Sequence, residues 1–269
     1  YAWARGRGRA AATDHCAVNV ALYGAAGKRW AMTERGAARL RRAARRLEVG
    51  PSAIGWEGDE LVVRFDEVTA PLPTRLRGTV RLRPAALFDT AYPLDPAGRH
   101  RWWPVAPCAR VAVELERPRL GWAGHGYHDS NWGDEPLERG FRGWHWSRSW
   151  LPDGDTVVLY DTEPRGAEAG GLALRFRPDG RCGAFEPPPL QPLPAGLWRV
   201  PRLARSDAGS PPRLRATLED APFYARSLLE ARVAGVSAPT FHESLSLDRF
   251  SRDWVRMPFR MPRRTGGRT

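Results

Sequence analysis

Chemistry-bearing residues concentrate in two stretches of the chain. The first runs Gly121-Trp122-Ala123-Gly124-His125-Gly126-Tyr127-His128-Asp129-Ser130-Asn131-Trp132-Gly133 and continues to Trp144-His145-Trp146-Ser147-Arg148. The second is Gly98-Arg99-His100-Arg101-Trp102-Trp103-Pro104. One carboxyl, several imidazoles and many indoles sit among glycines, which let the backbone turn sharply or approach a ligand closely. Four readings fit these types. Buried among Trp122, Tyr127 and Trp132, the Asp129 carboxyl would resist ionisation and serve as a proton donor. His125, His128 and His145 are metal-ligand types, although their spacing matches no strong template. Ser130 or Ser147 with His128 and Asp129 supplies the types of a hydrolytic triad, without the GxSxG elbow. Asp129 capping a turn within a structural polar network is the fourth, and the residues alone do not choose among them.

Strands must position these groups. Leu61, Val63 and Phe65 alternate with Val62, Arg64 and Asp66, and Val111, Val113 and Leu115 alternate with Ala112, Glu114 and Glu116. Val80 and Leu82, and Leu172, Leu174 and Phe176, repeat the pattern. A period of two marks antiparallel sheet with one buried and one wet face. Glu57-Gly58-Asp59, Pro152-Asp153-Gly154-Asp155 and Pro178-Asp179-Gly180 supply turns between such runs. In a strand, Tyr127 and Asp129 share one face and His128 takes the other. Ala37 to Leu47 is the best helix candidate, with Leu40, Ala44 and Leu47 on one face. Pro187 to Pro194 reads as a rigid linker or extended loop. The expected fold is all-β: two antiparallel barrel- or sandwich-like halves with few short helices. The halves are placed at 1–135 and 136–269, with the join near Gly133 to Gly140.

Composition narrows the class. The chain has 269 residues and a formal net charge of +12, carried by arginine, because Lys28 is the only lysine. That bias reads first as base composition of the genome, next as attraction to anionic lipid. Arg5-Gly6-Arg7-Gly8-Arg9 is too short a tract to indicate nucleic acid, and no nucleic-acid partner is expected. Cys16, Cys108 and Cys182 are dispersed, which argues against a disulfide framework or a structural zinc site. No apolar run approaches the roughly 18 residues of a spanning helix. Tyr1-Ala2-Trp3-Ala4 reads like the middle of a domain, so an N-terminal segment is expected upstream. Glu34, Arg35, Glu219, Asp220 and Arg226 are expected to form buried ion pairs between the halves. Met257 and Met261 are expected to pack in a core or against lipid.

The chain resembles the carotenoid 1,2-hydratase (hydroxyneurosporene synthase) family along its whole length. The resemblance is carried by Asn19 to Gly24, Trp30 to Gly36, Gly98 to Trp102, Gly126 to Gly133, Trp144 to Arg148, Leu218 to Arg226, His242 to Phe250 and Pro258 to Arg263. It implies two lipocalin-like β halves in a calycin-related superfamily. It implies hydration of the terminal C1=C2 bond of acyclic carotenoids such as neurosporene and lycopene. Water and the carotenoid are then the reactants, and no cofactor or metal is implied. His100, Trp102, Tyr127 and Asp129 match the family's functional positions. On that reading Asp129 protonates C2, Trp102 stabilises the cation at C1, His100 serves as base or water orienter, and Tyr127 hydrogen-bonds Asp129 or the water. Trp122, His128, Asn131, Trp132, Trp144, Trp146 and His242 are expected to contact substrate, with Glu243 beside them. An insoluble substrate implies peripheral attachment to a bacterial inner membrane on its cytoplasmic side. A carotenoid-binding module without catalysis, or an isomerase or cyclase on the same fold, are the competing functions.

Overall fold

The computed structural model describes residues 11–24 and 27–256. The Arg5 to Arg9 tract, both C-terminal methionines and the arginines beyond Arg256 lie outside the described residues. Strands dominate, as the alternating patterns require, and they pair antiparallel. Two compact units emerge. One holds the described residues up to Arg83 together with Arg110–Gly124. The other holds Pro84–Ala109 and the described residues from His125 onward. These units are discontinuous in sequence and do not coincide with halves divided at residue 135. The segment 133–140 runs inside the second unit.

In the first unit β1 (Cys16–Leu22) pairs with β2 (Arg29–Arg35). A ladder follows in order through β3 (Leu40–Ala43), β4 (Arg46–Val49), β5 (Ser52–Glu57), β6 (Glu60–Val68) and β7 (Arg75–Pro84). Its core gathers Leu22, Ala31, Phe65, Leu76, Val113 and Leu115. These are the inward positions of the period-two pattern, so their burial supplies the main driving force. Where a helix is expected over Ala37 to Leu47, the chain instead makes a 3-10 turn at Ala37–Arg39 and then β3 and β4. Leu40 pairs with Val49, and Leu47 with Ile54. Helix propensity differs by less than about 1 kcal/mol per residue, and sheet pairing overrides it.

The second unit includes β8 (Tyr92–Pro93), the first part of β9 (His100–Arg117) and the later part of β10 (Leu120–Gly133). After the single-turn helix α1 (Leu137–Gly140) come β11 (Phe141–Trp150), β12 (Thr156–Pro164), β13 (Gly170–Phe176) and β14 (Cys182–Ala184). Beyond them lie β15 (Leu190–Pro192), β16 (Leu203–Arg205), β17 (Arg213–Asp220), β18 (Tyr224–Val233) and β19 (Val236–Ser246). The proline-rich segment is extended and leads into β15, which pairs with β16. A seven-stranded sheet runs β14-β13-β12-β11-β19-β18-β17. Its middle is covered on both sides, because β12 points Val158 and Tyr160 into one core and Val157 and Leu159 into another. Two short helices, α2 (Leu247–Phe250) and α3 (Asp253–Arg256), follow. Among the described residues no helix is long and apolar enough to cross a membrane.

Candidate active site

A cavity of about 610 Å³ lies within the second unit. This is the size of a small-molecule site. Strand parity decides who faces it. On β11, Gly143, His145, Ser147 and Ser149 are buried on one face, while Trp144, Trp146 and Arg148 line the cavity on the other; a bulge before Gly143 puts Phe141 on the cavity side as well. On β19, Phe241 and Glu243 line it, and His242 points away. Register places Glu243 beside Trp146 and Trp146 beside Tyr160, so one row crosses three strands on the cavity side.

Asp129, on β10, lines the same cavity. Both of its donors reach one oxygen: Trp102 Nε1 donates to Asp129 Oδ2 at 2.8 Å, and Tyr127 Oη donates to the same atom at 3.0 Å. Burial raises the Asp129 pKa, and the two donors only partly oppose it. The neutral acid is therefore favoured beyond the usual carboxylate range. Two donors on Oδ2 leave Oδ1 to carry the acid proton. When that proton leaves, both donors strengthen on the new carboxylate. Tyr127 is itself pushed well above its ordinary value, first by burial and then by Asp129, so it remains a donor. The Arg148 guanidinium stacks 4.9 Å from the Tyr127 ring and fixes it from behind. Its Nε is buried without a hydrogen-bond partner.

Trp102 occupies a different place from the one its expected role demands. It is fully buried, does not line the cavity, and is packed by Tyr92, Tyr160 and Phe176. Its indole edge, not its face, is turned to Asp129. Aromatic shelter inside the cavity comes instead from Trp144, Trp146, Tyr160, Phe141 and Phe241.

His100 lines the cavity and is almost fully buried, with its ring edge-on to Phe141 at 5.0 Å. Gly133 and Gly140 flank the imidazole. A Cβ on Gly133 would collide with Nδ1, and one on Gly140 would stand 2.8 Å from Nε2. The Asp95 carboxylate accepts from the His100 backbone N–H at 2.7 Å and fixes the start of β9. His100 Nε2 has no hydrogen-bond partner and lies 3.8 Å from Glu135 Oε1.

Of the expected contact residues, Asn131, Trp132, Trp144 and Trp146 line the cavity, and three do not. Trp122 is exposed and belongs to the first unit. His128 faces away from Tyr127 and Asp129 by strand parity, and burial lowers its pKa. His242 is fully buried on the far face of β19, its Nε2 2.9 Å from the Leu203 carbonyl oxygen and its ring stacked on His145. Tyr160, Phe241, Leu94, Leu137, Phe141, Glu135 and Thr162 are lining residues that the sequence reading misses. The continuous apolar run Val157 to Tyr160 marks Tyr160 as buried, but only the register shows which core it enters.

The other readings of the clusters separate in space. His125 stacks on Trp150, whereas His145 shares a hydrogen bond with Ser244. Among the described residues no three His, Cys, Asp or Glu side chains converge on a metal-sized site. Strand parity sets Asp129 on the face opposite His128 and Ser130, so the three do not form a relay. The expected inter-half ion pairs lie within units: Arg35 grips Glu67, Glu34 meets His15, and Arg226 meets Glu243. Asp220 accepts from the Leu197 and Trp198 backbone N–H groups.

Fold and site together define an all-β chain with an aromatic cavity whose wall carries Asp129, Glu135 and Glu243. The chain belongs to the carotenoid hydratase CrtC family, whose pattern it matches over residues 1–269. It is 54% identical over 98% of its length to an acyclic carotenoid 1,2-hydratase of Thiocapsa roseopersicina, and 48% identical over 98% to one of Rubrivivax gelatinosus. It spans 65% and 66% of those two relatives. An acyclic carotenoid 1,2-hydratase of Cereibacter sphaeroides is 39% identical, with 98% of this chain and 95% of that one covered.

Proposed function

We propose that this protein is a cofactor-independent hydro-lyase that adds water to the terminal C1=C2 bond of an acyclic carotenoid such as neurosporene or lycopene. The observation that carries the reading is Asp129: a carboxyl whose neutral form is favoured by burial, doubly donated to, on the wall of an aromatic cavity in a chain of this family. Neutral Asp129 donates its proton to C2. Positive charge then rests on C1, a tertiary carbon. Indole and phenol faces at Trp144, Trp146 and Tyr160 attract it, worth about 2 kcal/mol when desolvated, or roughly 30-fold in rate. That is too little to carry catalysis alone, so the positioned acid carries more, typically about 10²–10⁴-fold. Water attacks C1 and yields the tertiary alcohol. His100 lines the same cavity.

The substrate dissolves in lipid, not in water, so the protein works at a membrane surface. Exposed Trp132 and Leu137 at the cavity, with the basic surface, favour peripheral attachment, on the cytoplasmic side of a bacterial inner membrane. A binding module would return the carotenoid unchanged, and a cyclase or isomerase would return a product without added oxygen. Expression of the intact protein in cells that make lycopene tests the reading: 1-hydroxylated product supports it, and unchanged lycopene refutes it.

A further inference from the structure

We propose that Glu135 is the base that removes the proton from the attacking water, with His100 as the positioning residue behind it. This deepens the hydratase reading and rests on it. The mechanism above has an acid but no assigned acceptor for the water proton. Glu135 lies two residues beyond the end of β10, lines the same cavity as Asp129, and keeps part of its side chain accessible. Arg99 Nη1 donates to Glu135 Oε2 at 3.4 Å, while Oε1 lies 3.8 Å from the buried, unpartnered Nε2 of His100.

Space around this pair is reserved by the backbone. A Cβ on Gly140 would stand 2.8 Å from His100 Nε2 and 3.4 Å from Glu135 Oε1. His100 is too enclosed to meet water itself, since Nε2 has essentially no accessible surface. Its nearest acidic neighbour, Glu135, does face the cavity. The imidazole therefore acts through the carboxylate, holding it toward the water.

The proton balance closes. Asp129 gives one proton to C2 and becomes a carboxylate. Water forms its bond to C1 and passes one proton to the Glu135 carboxylate. Return of that proton to Asp129 through cavity water resets both groups, and the net change is one water added. No oxidant or reductant enters.

The two carboxyls then fail in different ways when replaced. In the intact protein, incubated with lycopene in vesicles in D2O, Glu135→Gln retains Asp129 and still protonates C2. The cation, not captured by water, loses a C2 hydron back to Asp129. Recovered lycopene therefore gains deuterium at C2, while hydrated product falls by about 100-fold or more. Asp129→Asn loses both exchange and product. Glu135→Asp recovers part of the hydration. The proposal is overturned if folded Glu135→Gln hydrates within about threefold of the wild type, or if it loses deuterium exchange together with hydration. If the wild type itself yields no alcohol, the hydratase reading fails instead.

Discussion

Two side chains from two strands hold Asp129. Trp102 and Tyr127 both donate to Oδ2, and burial raises its pKa and so favours the neutral acid. Trp102→Phe removes one donor while keeping most of the packing. The expected result is a fall in kcat of roughly 10- to 150-fold, since a hydrogen bond to a charged group is worth about 1.5–3 kcal/mol. Steady-state kinetics with membrane-embedded substrate checks it. Stability gives an independent reading of the same carboxyl. Its pKa is raised in the folded state, so stability is fully present below the ordinary carboxylate value and is lost as pH rises through the folded value. Asp129→Asn is therefore expected to raise Tm at neutral pH, with the gain vanishing in acid; a variant less stable at pH 7 would contradict this. The site was partly legible in the chain, because Tyr127 and Asp129 two residues apart must share a strand face. His128 and His242 were misplaced for the same reason, read the other way: each sits one residue from a cavity-facing side chain and therefore points to the opposite face. Trp102 could be recognised but not assigned, since only the fold shows whether an indole offers its face or its N–H edge.

At the level of strands and their pairing, two buried polar devices carry stability. In the first unit Arg35 makes a two-pronged pair with Glu67 at 3.0 and 2.7 Å, and Ser52 Oγ donates to the same carboxylate at 2.5 Å. All three side chains are buried, so Glu67→Gln strands the guanidinium and is expected to cost about 3–5 kcal/mol by denaturant titration. In the second unit His145 and His242 stack on the far face of the sheet, and burial lowers each to about 4. Both are stabilising while neutral: that contribution is complete above the unfolded value near 6.5 and is lost as pH falls through about 4. Acid unfolding is expected to begin below pH 6.5, and His242→Gln is expected to flatten it; an unchanged acid limb would speak against the pair. Strand existence was readable from alternation, as at Leu61 to Phe65 and Val111 to Leu115. The Ala37 to Leu47 segment was not, because its alanines and arginines favour helix locally and only cross-strand partners such as Ile54 and Val49 reveal the sheet.

For the whole molecule, pattern and resemblance contributed different things. Period-two alternation specified antiparallel sheets, whereas the two units interleave along the chain through β9 and β10 and could not be divided from local signals. Resemblance supplied a substrate that no cavity shape would name. A chain of formal net charge +12 should bind vesicles containing anionic lipid, and sedimentation with them should weaken as salt rises. Binding that ignores both lipid charge and salt would remove electrostatics from the account. The proposed role of Asp129 in adding water to a carotenoid end is tested most directly by mass spectrometry of the product after turnover of lycopene in ¹⁸O-labelled water, wild type beside Asp129→Asn. One solvent oxygen is expected in each hydroxylated wild-type end, with a loss of about 100-fold or more in the folded variant. Product without solvent oxygen, or undiminished labelled product from Asp129→Asn, would contradict it.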